Sequence, residues 1–367
     1  MPSCSTRSWS FCSGVPLQRL QERVAEDGFM FPLDLGARGS CTIGGNISTN
    51  AGGNRVIRYG MTRELILGLE VVTPDGTVLK GLRKYIKNNT GIDLKHLYIG
   101  TEGILGVVTR AAVRIFPAPA ERQVALCALP SFGQVMSFLK LARRSLGGEL
   151  TAFEVMWNAY YRQTVERVKG VVGPLPTHHP FYVLLEASGS DAERMRTSLE
   201  QMLEAAMNDG LILDATLSTS NASAAAIWRI RDSSVELGRS FPFAARMGFD
   251  VSIAIDRMEA YADTLDARVK AIDPRAFTIV MGHVGDGNLH PSVYHEHTPD
   301  KHDAFEKLVY DLTGEFGGSI SAEHGIGILK RPYLKMSRTE EEIETMRSLK
   351  RALDPKNILN PGRIFTM

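Results

Sequence analysis

The sequence predicts an α+β protein built in two domains, and three observations carry that expectation. The chain has 367 residues, 44% of them hydrophobic, which is more than one core usually organises. Strand-like and helix-like patterns alternate from residue 124 to residue 281. A Pro-Ala-Pro run at 117–119 separates that region from a glycine-dense N-terminal third.

The elements follow in order. Residues 15–24 place apolar side chains three or four apart, a helical spacing. A glycine- and asparagine-rich stretch fills 36–60. A strand over 66–72 leads through a Pro74-Asp75-Gly76 turn to a short strand at 77–79. Residues 100–106 form a second glycine-rich loop before a strand over 107–115. Past the prolines, 124–129 reads as a strand and 132–145 as a helix, with Gly147 and Gly148 beyond its end. Residues 180–187 are a strong strand, and 191–209 form a helix opened by the Asp191 cap. Residues 222–237 read as one helix. Strands at 249–255 and 277–281 flank a helix over 258–272. An amphipathic helix over 339–353 closes at Asp354-Pro355. Together these fit an antiparallel sheet with helices on one face.

Composition narrows the partners. There are 42 basic and 41 acidic residues, a net charge of +1, so no nucleic acid or anionic membrane is expected. No stretch approaches the ~18–20 consecutive apolar residues of a transmembrane segment. Cys4, Cys12, Cys41 and Cys127 match neither a zinc knuckle nor a redox pair and are too few for a disulfide framework. A reducing, cytoplasmic setting is the expectation. Residues 1–13 are Ser-rich and carry Arg7, but lack the apolar core of a signal peptide. No Gly-x-Gly-x-x-Gly joins a strand to a helix with an acidic residue beyond it, which argues against nicotinamide.

The run GSCTIGGNISTNAGG at 39–53 is unusual. Its glycines permit close backbone approach, exposed N–H groups can cradle phosphates or a flavin's polar edge, and Asn and Thr add uncharged donors. A bare glycine cluster is usually a surface loop. Here Ile43, Ile47 and Ala51 are interleaved, which a solvated linker does not need, so a ligand-lining loop is favoured.

With FPLDLG at 31–36, TGIDL at 90–94 and LYIGTEGILG at 97–106, this run closely resembles one family. It is the FAD-linked oxidase family that includes D-lactate dehydrogenase, glycolate oxidase and D-2-hydroxyglutarate dehydrogenase. The resemblance extends from about Gly14 to the C-terminus, with the motifs in the expected order. It implies a partial FAD-binding domain of the PCMH type over 1–118. A ferredoxin-like α/β oxidase C-terminal domain follows over 119–367, with the tail 354–367 returning to the flavin. It further implies that Pro32, Leu33, Asp34, Ser40, Gly44, Gly45, Asn46, Thr49, Asn50, Gly53, Glu102, Gly103 and Gly106 line the FAD, and that Asn360, in LNPG at 359–362, reaches back to it.

Family members begin with a smaller α/β subdomain that carries a glycine-rich diphosphate loop, and this sequence offers no such segment. A truncated gene, a misassigned start and a separate chain supplying the missing piece are the competing explanations. Without that subdomain an open face there should expose apolar surface, which marks a partner site or an instability.

The segment HVGDGNLH at 283–290 lies between two strand patterns, with the hairpin signal Asp286-Gly287 at its centre. A symmetric hairpin places His283 opposite His290, close enough for two imidazoles to share a metal. Downstream, SAEHGIG at 321–327 sets Glu323 beside His324. Spacing alone leaves that pair unassigned. The resemblance makes His283, His290 and Glu323 ligands of a divalent metal, zinc by ligand set with manganese or iron as alternatives, and places His324 beside the substrate as the base. A lone histidine is more often structural or superficial, which is the reading for His96, His178, His179 and His302, and for His295 and His297 as solvated residues.

The implied reaction oxidises a D-2-hydroxy acid to the 2-oxo acid, with FAD accepting the hydride and a quinone, flavoprotein or cytochrome accepting the electrons. A planar guanidinium can grip the substrate carboxylate, and in WRIRD at 228–232 the resemblance favours Arg231. Arg229 is balanced between that role and helix-surface ion pairing. Ser292, two residues past His290, is a further expected contact. The hydroxyglutarate branch usually has Asn there, and it has a lysine before the strand that MGFD at 247–250 matches. Here His290 is followed by Pro291, as in the glycolate and D-lactate branch, and only Arg246 lies near that strand. FPLDLG and residues 39–41 point the other way, so the acid stays open. The alternatives are a non-catalytic or partner-dependent fragment that cannot hold FAD alone, and a flavin-free metal-dependent hydrolase.

Overall fold

The computed structural model describes residues 8–241, 245–296 and 298–367. Cys4, Arg7 and His297 lie outside the described residues. The chain divides into two compact units, Met1–Ala118 with Ser321–Met367, and Pro119–Ile320.

In the first unit, β1 (Ser8–Cys12), β2 (Ile66–Val72), β3 (Val78–Gly81) and β4 (Val107–Arg114) form an antiparallel sheet in the order β1-β4-β2-β3. The sequence left residues 8–12 unassigned. They pair with β4, and Trp9 and Phe11, two apart on one face, stack at 5.9 Å. Helix α1 (Leu17–Ala25) buries Leu17, Leu20 and Val24, the spacing that predicted it.

The glycine-rich run does not remain a loop. Residues Ile43–Thr49 form helix α2, capped by Thr42, whose hydroxyl accepts the Gly45 N–H at 3.2 Å. Ile43 and Ile47, four apart, are both fully buried, and that burial outweighs the poor helix propensity of Gly44 and Gly45. Gly44 is needed where it stands, because a Cβ there would lie 2.7 Å from the Ser13 Cβ.

The second unit carries the expected antiparallel sheet. Its strands are β5 (Glu121–Leu129), β6 (Leu150–Trp157), β7 (Phe181–Gly189), β8 (Asp214–Leu217), β9 (Ala245–Gly248), β10 (Phe277–His283) and β11 (Asn288–His295), in the order β8-β5-β7-β6-β10-β11-β9. An eighth, Val251–Ser252, pairs with β11. It is the short remnant of the strand expected over 249–255.

Helices cover both faces of this sheet, not one. Phe138 of α3 (Phe132–Leu146) packs on Phe153, while Tyr161 of α4 (Asn158–Arg167) stacks at 3.8 Å on Tyr182, which projects from the opposite face. All nine residues of β7 are buried. A continuous apolar run, rather than an alternating one, signals two covered faces.

The helix expected over 222–237 is two, α5 (Asn221–Asp232) and α6 (Ser234–Arg239). The Ser233-Ser234 pair breaks it, with the Ser233 hydroxyl donating to the Arg229 carbonyl at 2.6 Å. His295 is buried rather than solvated. It ends β11 opposite Ala245 and packs on Phe305 at 5.0 Å. Cys127, also buried, has its thiol pushed far up by that burial, which removes it from redox chemistry.

The tail helix α7 (Glu340–Leu353) opens on a Thr339–Glu342 capping box and lends Ile343 to the core of the first unit. Its buried Lys350 donates to the carbonyls of Ile104 and Leu359, at 2.9 and 2.7 Å, and pairs with Asp354. These bonds fix the path of the segment that carries Asn360.

Candidate active site

The histidine hairpin forms, but in a different register. His283 faces Asn288 and His290 faces Met281, so the two imidazoles are diagonal neighbours on one face and not a direct pair. The turn spans four residues, with the Asp286 and Gly287 N–H groups both closing on the His283 carbonyl and Gly287 at φ +92°. The even offset keeps the two rings together, 5.1 Å apart and edge to face. Burial pushes His290 well below the ordinary histidine range. It is therefore a neutral imidazole with a lone pair to offer.

Behind His283 stands a residue the sequence reading missed. Glu154, on β6, is 1% exposed, and its carboxylate meets His283 Nδ1 at 2.5 Å and accepts from Arg231 Nε at 2.8 Å. Burial alone would raise its carboxyl, but His283 and Arg231 outweigh it and hold Glu154 at about 2. With Nδ1–H donated to this carboxylate, the His283 Nε2 carries the lone pair and faces Arg231 Nη2 at 2.9 Å. Arg231 also meets Asp232 at 3.2 Å, and Tyr160 donates to its backbone carbonyl at 2.5 Å. Arg229 points away, to the Lys169 carbonyl. The signal for Glu154 was present: a lone carboxylate inside the apolar run LTAFEVMW at 150–157 needs a buried partner. Ser292 is buried on the same face of β11 as His290, and its hydroxyl accepts from Arg246 Nε at 3.2 Å.

In the first unit, three other stretches of sequence converge on Glu102, one of the residues expected to line the flavin. Its N–H donates to the Ser48 carbonyl at 2.7 Å, which ties it to α2, and its own carbonyl accepts from Asn360 Nδ2 at 2.6 Å. Its carboxylate collects the N–H groups of Ile326 and Gly327 at 2.7 and 2.9 Å and meets Arg363 at 3.3 Å. Asn50, Glu102 and Asn360 all hold left-handed backbone, with φ of 52°, 50° and 41°. That concentration of strain is typical of ligand sites.

Asp34 is engaged by Arg38 at 2.7 Å, Ser40 is exposed, and Asn46 is buried on α2. Pro32 and Leu33 are buried, and Gly106 packs against Val71 and Tyr98. Glu323 and His324 lie on the segment that begins at Ser321. The Glu323 carboxylate accepts the Gly53 N–H at 2.5 Å, and His324 is exposed.

Gly53 has φ +97°, and a Cβ there would stand 2.2 Å from the Asp34 carbonyl oxygen. Gly53→Ala is therefore expected to destabilise the protein by at least ~2 kcal/mol. Thermal unfolding checks this, and an unchanged midpoint would refute the constraint.

Comparison with known proteins identifies the assembly. Residues 118–364 match the family described as FAD linked oxidases, C-terminal domain, and residues 6–81 match the FAD binding domain. The chain belongs to the FAD linked oxidases. Its relatives include D-2-hydroxyglutarate dehydrogenase of Xanthomonas citri pv. viticola, 39% identical over 98% of this chain and 76% of that protein. The mitochondrial protein of that name from Bos taurus is 42% identical over 96% of this chain. A probable mitochondrial D-2-hydroxyglutarate dehydrogenase of Oryza sativa subsp. indica is 41% identical over 96%. The chain spans 64% of the length of the cattle protein and 63% of the rice protein. Among solved structures, p-cresol methylhydroxylase covers the whole of this oxidase chain with a TM-score of 0.76 at 13% identity, over 78% of its own length. Alkyldihydroxyacetonephosphate synthase gives 0.71 at 17%, covering 97% of this chain and 64% of its own. At those identities the likeness is one of fold. Among the described residues, no helix of this FAD linked oxidase is long and apolar enough to cross a membrane.

Proposed function

We propose that this chain is an FAD-dependent dehydrogenase that oxidises a D-2-hydroxy acid to its 2-oxo acid. The observation that carries the reading is the buried Glu154–His283–Arg231 set with His290 beside it, in a chain about 40% identical to D-2-hydroxyglutarate dehydrogenases. Two groups beyond the chain are implied, and the residues fit both.

For the cofactor, the backbone around α2, Gly53, Glu102, Gly103 and Asn360 supplies N–H groups and glycine surfaces suited to a flavin and its phosphates. Bound FAD supplies the acceptor for the α-hydrogen and its electron pair. For the metal, the hairpin imidazoles His283 and His290 are donors that suit zinc and also manganese or iron. A bound divalent ion supplies positive charge beside the substrate hydroxyl.

The chain's own residues do the rest. Glu154 holds His283 in the tautomer that presents Nε2. Arg231, with a guanidinium already ordered by Glu154, faces the substrate carboxylate. His324, exposed beside Glu323, accepts the hydroxyl proton as the carbonyl forms.

The test is a visible spectrum of the purified chain after addition of FAD and gel filtration. Retained bands near ~375 and ~450 nm that bleach with D-lactate or D-2-hydroxyglutarate are expected for an assembled flavin site. A colourless protein, or flavin that neither acid reduces, would overturn the reading.

A further inference from the structure

One strand of the second unit has a bare edge. Strand β10 pairs with β11 along its whole length, from Phe277–Tyr294 to His283–Asn288. On its other side it pairs with β6 only at Met281 and Gly282, because β6 ends at Trp157 and the chain turns away into α4. Residues 277–280 therefore overhang the sheet. Pro291 fixes which groups they leave free. It has no N–H, and its carbonyl accepts from Phe249 on the far side of β11 at 2.9 Å, so Val280 and Pro291 exchange no hydrogen bonds. Alternation then turns the Phe277 and Ile279 backbone toward β11. It directs the N–H and C=O of Thr278 and the N–H of Val280 away from it. Among the described residues nothing bonds these three groups. Val280 is only 4% exposed, and a buried N–H without an acceptor is rare.

The edge opens on a cleft of about 770 Å³ lined by α4 and the helix Met258–Ile272. That is far more than the ~30 Å³ of one water, and enough for several residues of chain. The usual protections of an edge are missing, since FTIV at 277–280 has no charge and no proline. The Trp157 indole N–H, from a residue that lines the cleft, is buried and also lacks an acceptor.

The walls select what can enter. On α4, Arg167 lies over the Phe241 ring at 4.5 Å and its Nε donates to Gln163 at 2.6 Å. Among the described residues no carboxylate pairs with it. Arg162 lines the same wall, 4.0 Å from Glu166. The acids that line the cleft, Asp263 and Asp266, sit on the opposite helix, where Lys270 at 2.5 Å and the Thr278 hydroxyl at 2.8 Å engage Asp266. Positive charge without an acidic neighbour in the lining thus belongs to α4.

We infer that this cleft takes an extended segment of a partner protein, added as an antiparallel strand to β10. Its acidic side chains turn toward Arg162 and Arg167, and its uncharged ones toward Met258–Ile272. Main-chain bonds to Thr278 and Val280 supply affinity, and the charge of α4 supplies selection. The cleft lies wholly within Pro119–Ile320 and does not draw on the hairpin histidines.

The probe is the blocked pentapeptide Ac-Val-Glu-Val-Glu-Val-NH2, titrated into the full chain. Amide hydrogen exchange, read by NMR, should slow about tenfold or more at Thr278 and Val280. Phe277 and Ile279 should not change, because their N–H groups already bond β11. Arg167→Glu, at an exposed position, should weaken binding about tenfold or more, and Ac-Val-Lys-Val-Lys-Val-NH2 should not bind. No binding of the acidic peptide at ~1 mM, equal binding of both peptides, or binding that leaves Thr278 and Val280 exchanging as before overturns the proposal. Slowing of the same two amides when the protein alone is concentrated would put a second copy in the cleft, and would overturn it as well.

Discussion

Glu154→Ala will destabilise the Pro119–Ile320 unit by about 3–5 kcal/mol, the largest loss of stability expected from a single change in this protein. The substitution removes the carboxylate that Arg231 and His283 share, and the side chains left behind are only 12% and 4% exposed. A guanidinium so enclosed cannot recover its hydration, so the cost is that of a stranded charge rather than of one hydrogen bond. Urea unfolding of the full chain measures it, and a midpoint unchanged from wild type would mean that water reaches Arg231 freely.

The same set predicts a pH dependence. Burial opposes ionisation of Glu154, but His283 and Arg231 outweigh it and bring its pKa from 4.5 to about 2 in the folded protein. A carboxyl whose folded value is depressed contributes stability that is fully present above the unfolded value and lost as pH falls through the folded one. The contribution is about 3 kcal/mol at ~1.4 kcal/mol per pKa unit. The stability gap between wild type and Glu154→Gln should stay constant above pH 4.5 and close as the pH approaches 2. A gap that closes in the histidine range instead would assign the stabilisation to His283.

Much of this arrangement was legible in the sequence where local chemistry sets structure. The Leu17, Leu20, Val24 spacing wrote α1, and Asp191 capped its helix as expected, accepting the Arg194 N–H at 3.1 Å. The family motifs named Glu102 and Asn360, but nothing in their spacing said that Glu102 gathers Asn360 and the Ile326 and Gly327 N–H groups, because those bonds join residues more than 200 positions apart. The reading failed where tertiary burial overrode local propensity. Gly44 and Gly45 suggested a loop, yet the burial of Ile43 and Ile47 makes α2. The Asp286-Gly287 signal suggested a two-residue turn, yet the longer turn shifts the register by two. An even shift keeps His283 and His290 on one face, so the two rings still meet. Glu154 was overlooked because a strand of buried residues looks uniform until its one charge is asked for a partner.

Removing one imidazole separates the metal from the flavin. If the proposed metal site holds, His290→Ala should abolish binding of added zinc and lower turnover on the order of 1,000-fold or more, since a divalent ion beside the substrate hydroxyl would contribute several kcal/mol. The variant should still bind FAD, because the residues around α2, Glu102 and Asn360 belong to the other compact unit and have their own core. Glu154→Gln should fall between the two, losing about 10–100-fold in metal affinity because His283 Nδ1 loses its charged partner while Nε2 remains. Metal analysis, flavin absorbance and single-turnover flavin reduction on the same preparations distinguish these outcomes. If His290→Ala kept one metal per chain and reduced flavin within tenfold of wild type, the hairpin histidines would be structural, and the charge that assists the substrate hydroxyl would have to come from Arg231 alone. If instead metal and flavin were lost together, the two sites would be coupled in folding. In the expected case the chelator-treated wild type stays yellow and becomes inactive, which places the metal in the chemistry and not in holding the cofactor.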